Sequence, residues 1–234
     1  MPEIARVIEL DRRLAVAVRT ARADGAFPLV LAGNCNSSLG TVAGVSGGTE
    51  APVGVVWFDA HADFDGPDEN LSGFFDVMAL SILTGGSWAA LAATIPGFRA
   101  VPEARAVLAA VRDLEPYQRA ALERSEVVTV PGAFAAADLE RSLDGLRADV
   151  DRVYLHLDLD ALDAREGRPN AYAAEDGPGL AELERAIDAV FARFAVVAAA
   201  LTAYDPAADT DGRAGAAARR LVARMAARAL ERAA

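Results

Sequence analysis

Two segments that combine Asp with His follow apolar stretches of the chain. The first, after the apolar residues 53–58, is Asp59-Ala60-His61-Ala62-Asp63. The second, which closes the apolar segment 153–159, is His156-Leu157-Asp158-Leu159-Asp160. Buried carboxylates repel one another and lose their hydration unless a cation or a proton lies between them. Carboxylates together with imidazoles suit a hard or borderline divalent cation such as Mn²⁺, so both segments indicate a metal site.

The cysteine of the chain lies in a third segment of this kind. Gly33-Asn34-Cys35-Asn36 follows the apolar run 28–32 and forms a polar turn, where thiolates form more readily than in an apolar core. A lone Cys is more often a small buried hydrophobic residue, and each segment alone is also compatible with a solvated loop. Together, the three segments supply six ligands for two divalent cations: Cys35, Asp59, His61, Asp63, Asp158 and Asp160. Two cations about 3.5–4 Å apart can deprotonate a bridging water and direct it at an electrophilic carbon.

All three segments lie where strands of a parallel sheet would end. Apolar runs predict strands over 28–32, 53–58, 106–111, 126–130, 153–159 and 195–202. Helices are predicted over 3–24, from the Cys35 turn to about residue 45, and over 74–84, 115–124, 135–147, 180–194 and 212–233. This alternation indicates an α/β protein with a mainly parallel, doubly wound sheet, in which ligands bind beyond the carboxyl ends of the strands. We predict one domain over residues 1–234.

Composition narrows the class of protein. The formal net charge is −11, which excludes a sequence-independent nucleic-acid binder and disfavours adsorption to anionic membranes. We find no run of about 18 apolar residues and no signal-peptide pattern, so we expect a cytoplasmic protein without a membrane segment. One Cys cannot form an internal disulfide, which fits a reducing compartment.

The three segments resemble the strand-end motifs of the arginase/agmatinase (ureohydrolase) superfamily, which are Gly-Gly-Asp-His, Asp-Ala-His-x-Asp and Ser-x-Asp-x-Asp-x-x-Asp-Pro. The second motif matches fully at residues 59–63. The third begins with His156 in place of Ser and ends with Ala164 in place of Pro. In the first, Cys35 stands where the family has a metal-binding His, a feature that resembles the Nω-hydroxyarginine hydrolases of this superfamily.

This resemblance implies a three-layer α/β/α fold, two Mn²⁺ ions and hydrolysis of a carbon–nitrogen bond in a guanidino or amidino compound by a metal-bridging hydroxide. Asp59 and Asp158 would bridge the metals. Cys35 and Asp63 would bind one metal, and His61 and Asp160 the other. A thiolate at Cys35 would favour softer cations at that position, including Zn²⁺. The resemblance also implies a homo-oligomer, either a trimer or a hexamer.

The resemblance also implies roles for residues at positions that correspond to functional residues of the family. Asp63 would also accept a hydrogen bond from the hydroxide. Asp76 stands at the family's proton-shuttling His, and is either a replacement shuttle or a charge at a helix N-terminus. His156 could be a ligand, a structural residue or, as we favour, a hydrogen-bonding support for a ligand. Asp65 and Ser72 match substrate-binding loop positions, although Asp65 would repel the carboxylate of an amino-acid substrate.

Other departures leave a second hypothesis open. Ala203 stands where arginases have the Glu that holds the guanidinium group, and the family's first strand and helix have no counterpart before residue 28. The chain could therefore be a catalytically impaired, arginase-like scaffold or partner-binding subunit. As an enzyme, it would attract an amine or guanidine substrate through its acidic loop residues.

Overall fold

Six parallel strands form a sheet at the centre of the fold. The computed structural model describes residues 3–47, 52–70 and 72–233, and the statements below concern these residues. The strands are β1 (Leu29–Leu31), β2 (Gly54–Phe58), β3 (Ala106–Val111), β4 (Val128–Pro131), β5 (Arg152–Asp158) and β6 (Ala195–Thr202). They lie in the order β1-β6-β5-β2-β3-β4, and each neighbouring pair is parallel.

Helices cover both faces of this sheet. They are α1 (Glu3–Ala23), α2 (Ser37–Ser46), α3 (Ala79–Leu83), α4 (Ala89–Ala92), α5 (Pro116–Arg124), α6 (Ala136–Asp149), α7 (Leu180–Arg193) and α8 (Arg213–Ala233). The first three pack into one hydrophobic core, and the last three pack into another on the opposite face. The predicted three-layer α/β/α fold with a parallel sheet is therefore confirmed. None of the described helices has the length and apolar character that a bilayer crossing requires.

Strand β2 illustrates why the sequences of the strands are continuously apolar. Side chains alternate along a strand, so Val55 and Trp57 enter the core beside α1–α3, whereas Val56 and Phe58 enter the core beside α6–α8. All five residues of β2 are buried. Because helices cover both faces of a parallel sheet, its strands are continuously apolar rather than alternating. Full burial of each large side chain stabilises the fold by about 1.5–3 kcal/mol.

The chain changes direction along the sheet between β2 and β5. Strands β3 and β4 extend from β2 towards one edge, and β6 extends from β5 towards the other. The connections that leave the carboxyl ends of β2 and β5 therefore diverge, and a crevice opens where doubly wound sheets bind their ligands. Asp59 directly follows β2 and Asp158 ends β5, so the strand order brings these two segments together.

Local hydrogen bonds adjust two of the predicted boundaries. Strand β5 ends at Asp158 rather than at 159, because the Asp158 carboxylate accepts the backbone N–H of Asp160 at 2.9 Å. A short 3₁₀ turn, Leu159–Ala161, begins there. The helix predicted over 74–84 starts with a 3₁₀ turn, Asp76–Met78, before α3.

Candidate metal centre

The register of β2 and β5 brings the first group of potential ligands together. Phe58 lies beside Leu157, so the residues that follow, Asp59 and Asp158, are neighbours. From the turn after β1, Cys35 reaches the same point, and its Sγ donates to Asp158 Oδ2 at 3.0 Å. One ligand atom from each of Cys35, Asp59 and Asp158 lies within 4.8 Å of the others. These three buried side chains can contact one cation.

A second group lies beside the first and shares a member with it. Ligand atoms of Asp59, His61 and Asp160 also lie within 4.8 Å of one another. His61 Nδ1 is 3.3 Å from Asp59 Oδ1 and 3.5 Å from Asp160 Oδ2. Because Asp59 belongs to both groups, its two oxygens can contact two cations at once.

Asp63 reaches the site by a different route from the one that strand alternation predicts. Alternation stops at Asp59, whose carboxylate accepts the backbone N–H of His61 at 2.8 Å and turns the chain. Asp63 itself has a left-handed φ of 47°. Its carbonyl accepts the amides of Leu80 and Ser81 at 2.8 and 3.1 Å, which holds this uncommon backbone conformation in place. The Asp63 side chain is buried and lines the cavity described below.

Burial and mutual repulsion dominate the electrostatics of the carboxylates. Burial raises the pKa of Asp59 to about 6, and the charge of Asp160 adds to that rise. Burial also raises the pKa values of Asp63 and Asp158 above the usual range. Each of these groups is therefore less stable as a carboxylate here than in water.

The site stabilises the charged form of His61, whereas it destabilises the charged forms of Asp59, Asp63 and Asp158. Burial lowers its pKa, but hydrogen bonds to Asp160 and Asp59 outweigh burial and raise the pKa to about 12. Burial would raise the pKa of Asp160, but its hydrogen bond with His61 outweighs this and lowers it. An imidazolium thus supplies positive charge among these carboxylates. Divalent cations would supply more of the same charge, so this donor set fits the two metal ions of the family pattern.

The sulfur of Cys35 lies among buried polar groups from two strands, β5 and β6. It is 3.2 Å from Thr202 Oγ1 and 3.2 Å from His156 Nε2. The Tyr154 hydroxyl lies 2.8 Å from His156 Nδ1, and the Trp57 ring stacks on the imidazole with centroids 3.6 Å apart. Burial lowers the pKa of His156 to about 3, so this imidazole is neutral and carries one N–H. His156 therefore contacts a candidate ligand rather than the cavity.

Asp76 holds the turn that carries Cys35. Its carboxylate accepts the backbone N–H groups of Cys35 at 3.1 Å and Asn36 at 2.8 Å. It also accepts the side-chain amides of Asn34 at 3.0 Å and Asn36 at 2.8 Å. Burial raises the pKa of Asp76, and these hydrogen bonds oppose the rise. Removal of this carboxylate would leave four donors without their acceptor and would release the turn.

A cavity of about 350 Å³ opens over the two groups. Among the predicted site residues, its lining includes His61, Asp63, Asp76, Asp158 and Asp160. The remaining lining residues are Gly33, Asn34, Phe74, Val77, Asn170, Ala171, Tyr172, Ala203, Tyr204 and Asp205. Cys35, Asp59 and His156 lie behind this surface and are almost fully buried. The polar lining and the two ligand groups together form a site that can hold a small cationic molecule beside bound metal.

The structure does not bring the two predicted substrate-binding residues to this lining. The Asp65 carboxylate accepts Tyr117 Oη at 3.0 Å and Gln118 Nε2 at 2.8 Å, both from α5. Ser72 is exposed, and its hydroxyl donates to Asn70 Oδ1 at 2.7 Å. Both side chains are therefore engaged by residues that do not line the cavity.

Comparison with known proteins shows the family. The chain matches the arginase family over residues 3–227. It belongs to the arginase family. The arginase of Staphylococcus aureus strain COL is 31% identical over 170 residues, which cover 68% of this chain and 54% of that protein. The chain thus spans about half the length of the curated arginases that it matches.

Solved arginase structures share the fold. The native arginase of Bacillus caldovelox at pH 5.6 superposes with a TM-score of 0.84 at 26% identity, covering 98% of this chain and 77% of that one. The arginase of Bacillus cereus superposes with a TM-score of 0.87 at 23% identity, covering 95% and 79%. Membership of the arginase superfamily, which the sequence resemblance implied, is therefore confirmed.

Two residues that sequence reasoning missed help to build this arginase-family site. Asn170 Nδ2 donates to Asp160 Oδ2 at 3.0 Å and to the carbonyl of Ala203 at 3.1 Å. Tyr172 lies over the cavity, with its ring perpendicular to that of His61 at a centroid distance of 6.5 Å. The local signal is an Asn turn, since Asn170 Oδ1 accepts the N–H of Tyr172 at 2.9 Å. That signal predicts a loop but not what the loop faces.

Arg112, which together with Asp113 resembles the family's Arg-Asp pair at a middle strand end, fastens the loops around the site. Its guanidinium donates to five backbone carbonyls, those of Ala110, Asp160, Leu162, Ala174 and Glu175. It thereby joins the end of β3 to the loops that carry Asp160 and Asn170. A Cβ at Gly177 would lie 2.6 Å from the guanidinium carbon, so this glycine makes room for the Arg.

Proposed function

We propose that this member of the arginase family is a hydrolase that cleaves a carbon–nitrogen bond in a guanidino or amidino compound with the help of two divalent cations, Mn²⁺ foremost. One observation carries the proposal: Asp59 is shared by two groups of ligand atoms at the floor of a small-molecule cavity. A shared carboxylate is what a pair of closely spaced cations requires.

The proposal assigns ligands to each cation. Cys35 and Asp63 would bind one, His61 and Asp160 the other, and Asp59 and Asp158 both. When bound, the two cations would lower the pKa of a water molecule and make it a nucleophile near neutral pH. Zn²⁺ is the expected alternative beside Cys35, because thiolates favour softer cations.

The cavity-lining carboxylates would handle the protons. Asp63 lies beside the ligand groups, and in the proposal it accepts a hydrogen bond from the attacking water. Asp76 lines the cavity and would carry a proton to the leaving amine, a role that is favoured because burial raises its pKa above that of a free carboxyl group. His156 does not reach the cavity and would hold the sulfur of Cys35 in position instead. Its role is thus to orient a ligand.

The predicted substrate contacts of Asp65 and Ser72 require a change in their loop. Asp65 would have to give up its hydrogen bonds to Tyr117 and Gln118 before it could reach a substrate. The proposal also retains two expectations from the sequence, a cytoplasmic location and assembly into a trimer or hexamer. Light scattering of the purified protein tests the second.

The decisive experiment measures metal and product together. Protein purified with added Mn²⁺ should contain two equivalents of Mn per chain and should release urea or ammonia from a panel of guanidino and amidino compounds. A chelator should abolish the release, and Mn²⁺ should restore it. Protein that holds no Mn and turns over no member of the panel would favour the scaffold hypothesis instead.

A further inference from the structure

Two aromatic side chains form part of the wall of the cavity. The rings of Phe74 and Tyr172 are nearly parallel, with an angle of 24° and centroids 6.5 Å apart. Tyr172 is 63% exposed, although large apolar surfaces are usually buried. Val77, Ala171 and Tyr204 also line the cavity. The Tyr172 ring lies 6.5 Å from that of His61, so the aromatic pair lies next to the second ligand group.

The cavity lining is poorly suited to bind the carboxylate of a substrate. Among the described lining residues there is no Arg or Lys. Both amide hydrogens of Asn170 are engaged, as is the hydroxyl of Tyr204, which donates to Asp209 at 3.0 Å. One amide hydrogen of Asn34 is donated to Asp76. A bound carboxylate would find few free donors.

The negative charge of the cavity lining also disfavours a substrate that carries a carboxylate. Five carboxyl groups line the cavity, those of Asp63, Asp76, Asp158, Asp160 and Asp205. Asp76 and Asp205, which are not among the proposed metal ligands, would repel a negatively charged tail and attract a guanidinium head. The Asp158 and Asp160 carboxyl groups are buried, whereas Tyr172 of the aromatic pair is 63% exposed. A molecule with a cationic head and an apolar, planar tail matches this arrangement.

Resting on the function proposed above, we propose that the substrate is an arylalkyl guanidine without a carboxylate, whose aromatic tail packs against Phe74 and Tyr172. Water adds to the guanidinium carbon, and the bond from that carbon to the tail-bearing nitrogen breaks. Both protons of the water end on that nitrogen, and its oxygen becomes the urea oxygen. The products are urea and a protonated arylalkylamine, so atoms and charge balance. Aromatic rings gain from stacking beyond the burial of their surface, which favours an aryl tail over an alkyl one.

A matched series of substrates tests this inference. 4-Phenylbutylguanidine, agmatine and L-arginine share the guanidinobutyl unit and differ in a phenyl ring, an amine, or an added carboxylate beside the amine. With the Mn²⁺-loaded protein, we expect kcat/KM for urea release from the phenyl compound to exceed the other two by about 10-fold or more, equivalent to about 1.4 kcal/mol. Equal or faster hydrolysis of agmatine or L-arginine would overturn the aryl specificity and leave the proposed hydrolysis intact.

Variants locate the effect on the aromatic pair. Tyr172→Ala and Phe74→Ala should each lower the ratio of kcat/KM for 4-phenylbutylguanidine to that for methylguanidine by about 10-fold, mainly through KM. Tyr172→Phe keeps the ring and should keep the ratio. A ratio that does not change in either Ala variant would contradict the role of the wall.

Binding separates the two proposals. Calorimetric titration of the Mn²⁺-loaded protein with 4-phenylbutylguanidine should show binding that weakens about 10-fold in Tyr172→Ala. If the compound binds in this manner but no guanidine yields urea, the proposed hydrolysis fails and the recognition stands. If urea forms from other guanidines but the phenyl compound does not bind, the recognition fails alone. Absence of both binding and urea would remove both proposals.

Discussion

The two halves of the candidate metal centre are built differently. Cys35 is 1% exposed, and its sulfur contacts Asp158, His156 and Thr202, which come from two strands of the sheet. The His61 side chain is 26% exposed and contacts Asp59 and Asp160, the latter at 3.5 Å, beside the open cavity. The buried half depends on tertiary packing and would select the cation. The open half would meet the substrate.

In the buried half, two residues that differ from the family motifs contact each other. The chain has Cys35 where the motif has His, and His156 where the motif has Ser. In the structure these two side chains are 3.2 Å apart. The small Cys35 side chain leaves room for the imidazole of His156. The open half, at residues 59–63, retains the family motif in full.

Removal of the residue that joins the halves should have the largest effect. Asp59→Asn takes away the carboxylate that both ligand groups share, so both cations should be lost together. Because loss of a mere support for a ligand costs about 10–100-fold, urea release should fall by at least about 100-fold. Metal analysis and an activity assay measure this, with the exposed Asp138→Asn on α6 as the control. Retention of one firmly bound cation would argue against a shared carboxylate.

Substitution of Cys35 and His156 by the residues of the family motifs tests whether each of the two differences compensates for the other. Cys35→His alone would force an imidazole against His156, and such overpacking costs about 1–3 kcal/mol. We expect the Tm of this variant to fall by roughly 2–12 °C, since 1 kcal/mol corresponds to about 2–4 °C at this size. The double variant Cys35→His/His156→Ser should recover most of the loss and bind Mn²⁺ better relative to Zn²⁺ than the wild type does. A single variant as stable as the wild type would show that the residues are independent.

A pH series probes the packing behind the buried half. Asp11 of α1 is buried against α2, and burial raises its pKa from 3.8 to about 8, while a hydrogen bond from Gly40 opposes and the charge of Asp76 adds to the rise. The folded state thus holds this proton to higher pH than the unfolded chain does. The free energy of unfolding should therefore fall as the pH rises from about 4 to 8.

Asp11→Asn removes the titration and keeps an oxygen to accept the N–H of Gly40. Its Tm should match that of the wild type near pH 4 and exceed it by several degrees near pH 8. The difference between the two proteins at each pH cancels the contribution of other groups. A gap that stays constant over this range would mean that Asp11 is ionised throughout.

The smallest effect should come from the open half. Asp113 has a 63% exposed side chain, with Oδ2 3.7 Å from His61 Nε2. Exposed ion pairs contribute about 0.2–1 kcal/mol, so Asp113→Asn should weaken binding of the second Mn²⁺ by no more than about fivefold. Titration with Mn²⁺ measures this. If Asp113→Asn lost the second cation completely, Asp113 would have to be one of its ligands. The second cation would then lie closer to solvent than we propose.

Local patterns in the sequence predicted most of the framework. The run 53–58 predicted β2 (Gly54–Phe58) to within one residue, and the predicted helix 180–194 corresponds to α7 (Leu180–Arg193). These features are local, because continuous apolar runs and helical spacing report how each segment is buried. The same reasoning placed Asp59 and Asp158 at strand ends, where a parallel sheet exposes its binding site.

Only the tertiary structure decided where the loop side chains point. Asp65 turns towards α5 because Tyr117 and Gln118 offer it donors, and Tyr172 covers the cavity from a loop more than a hundred residues later in the chain. The contact between Cys35 and His156 joins segments 121 positions apart. Loops have no periodic pattern that reports their direction, so such contacts depend on which distant segments meet once the sheet has formed.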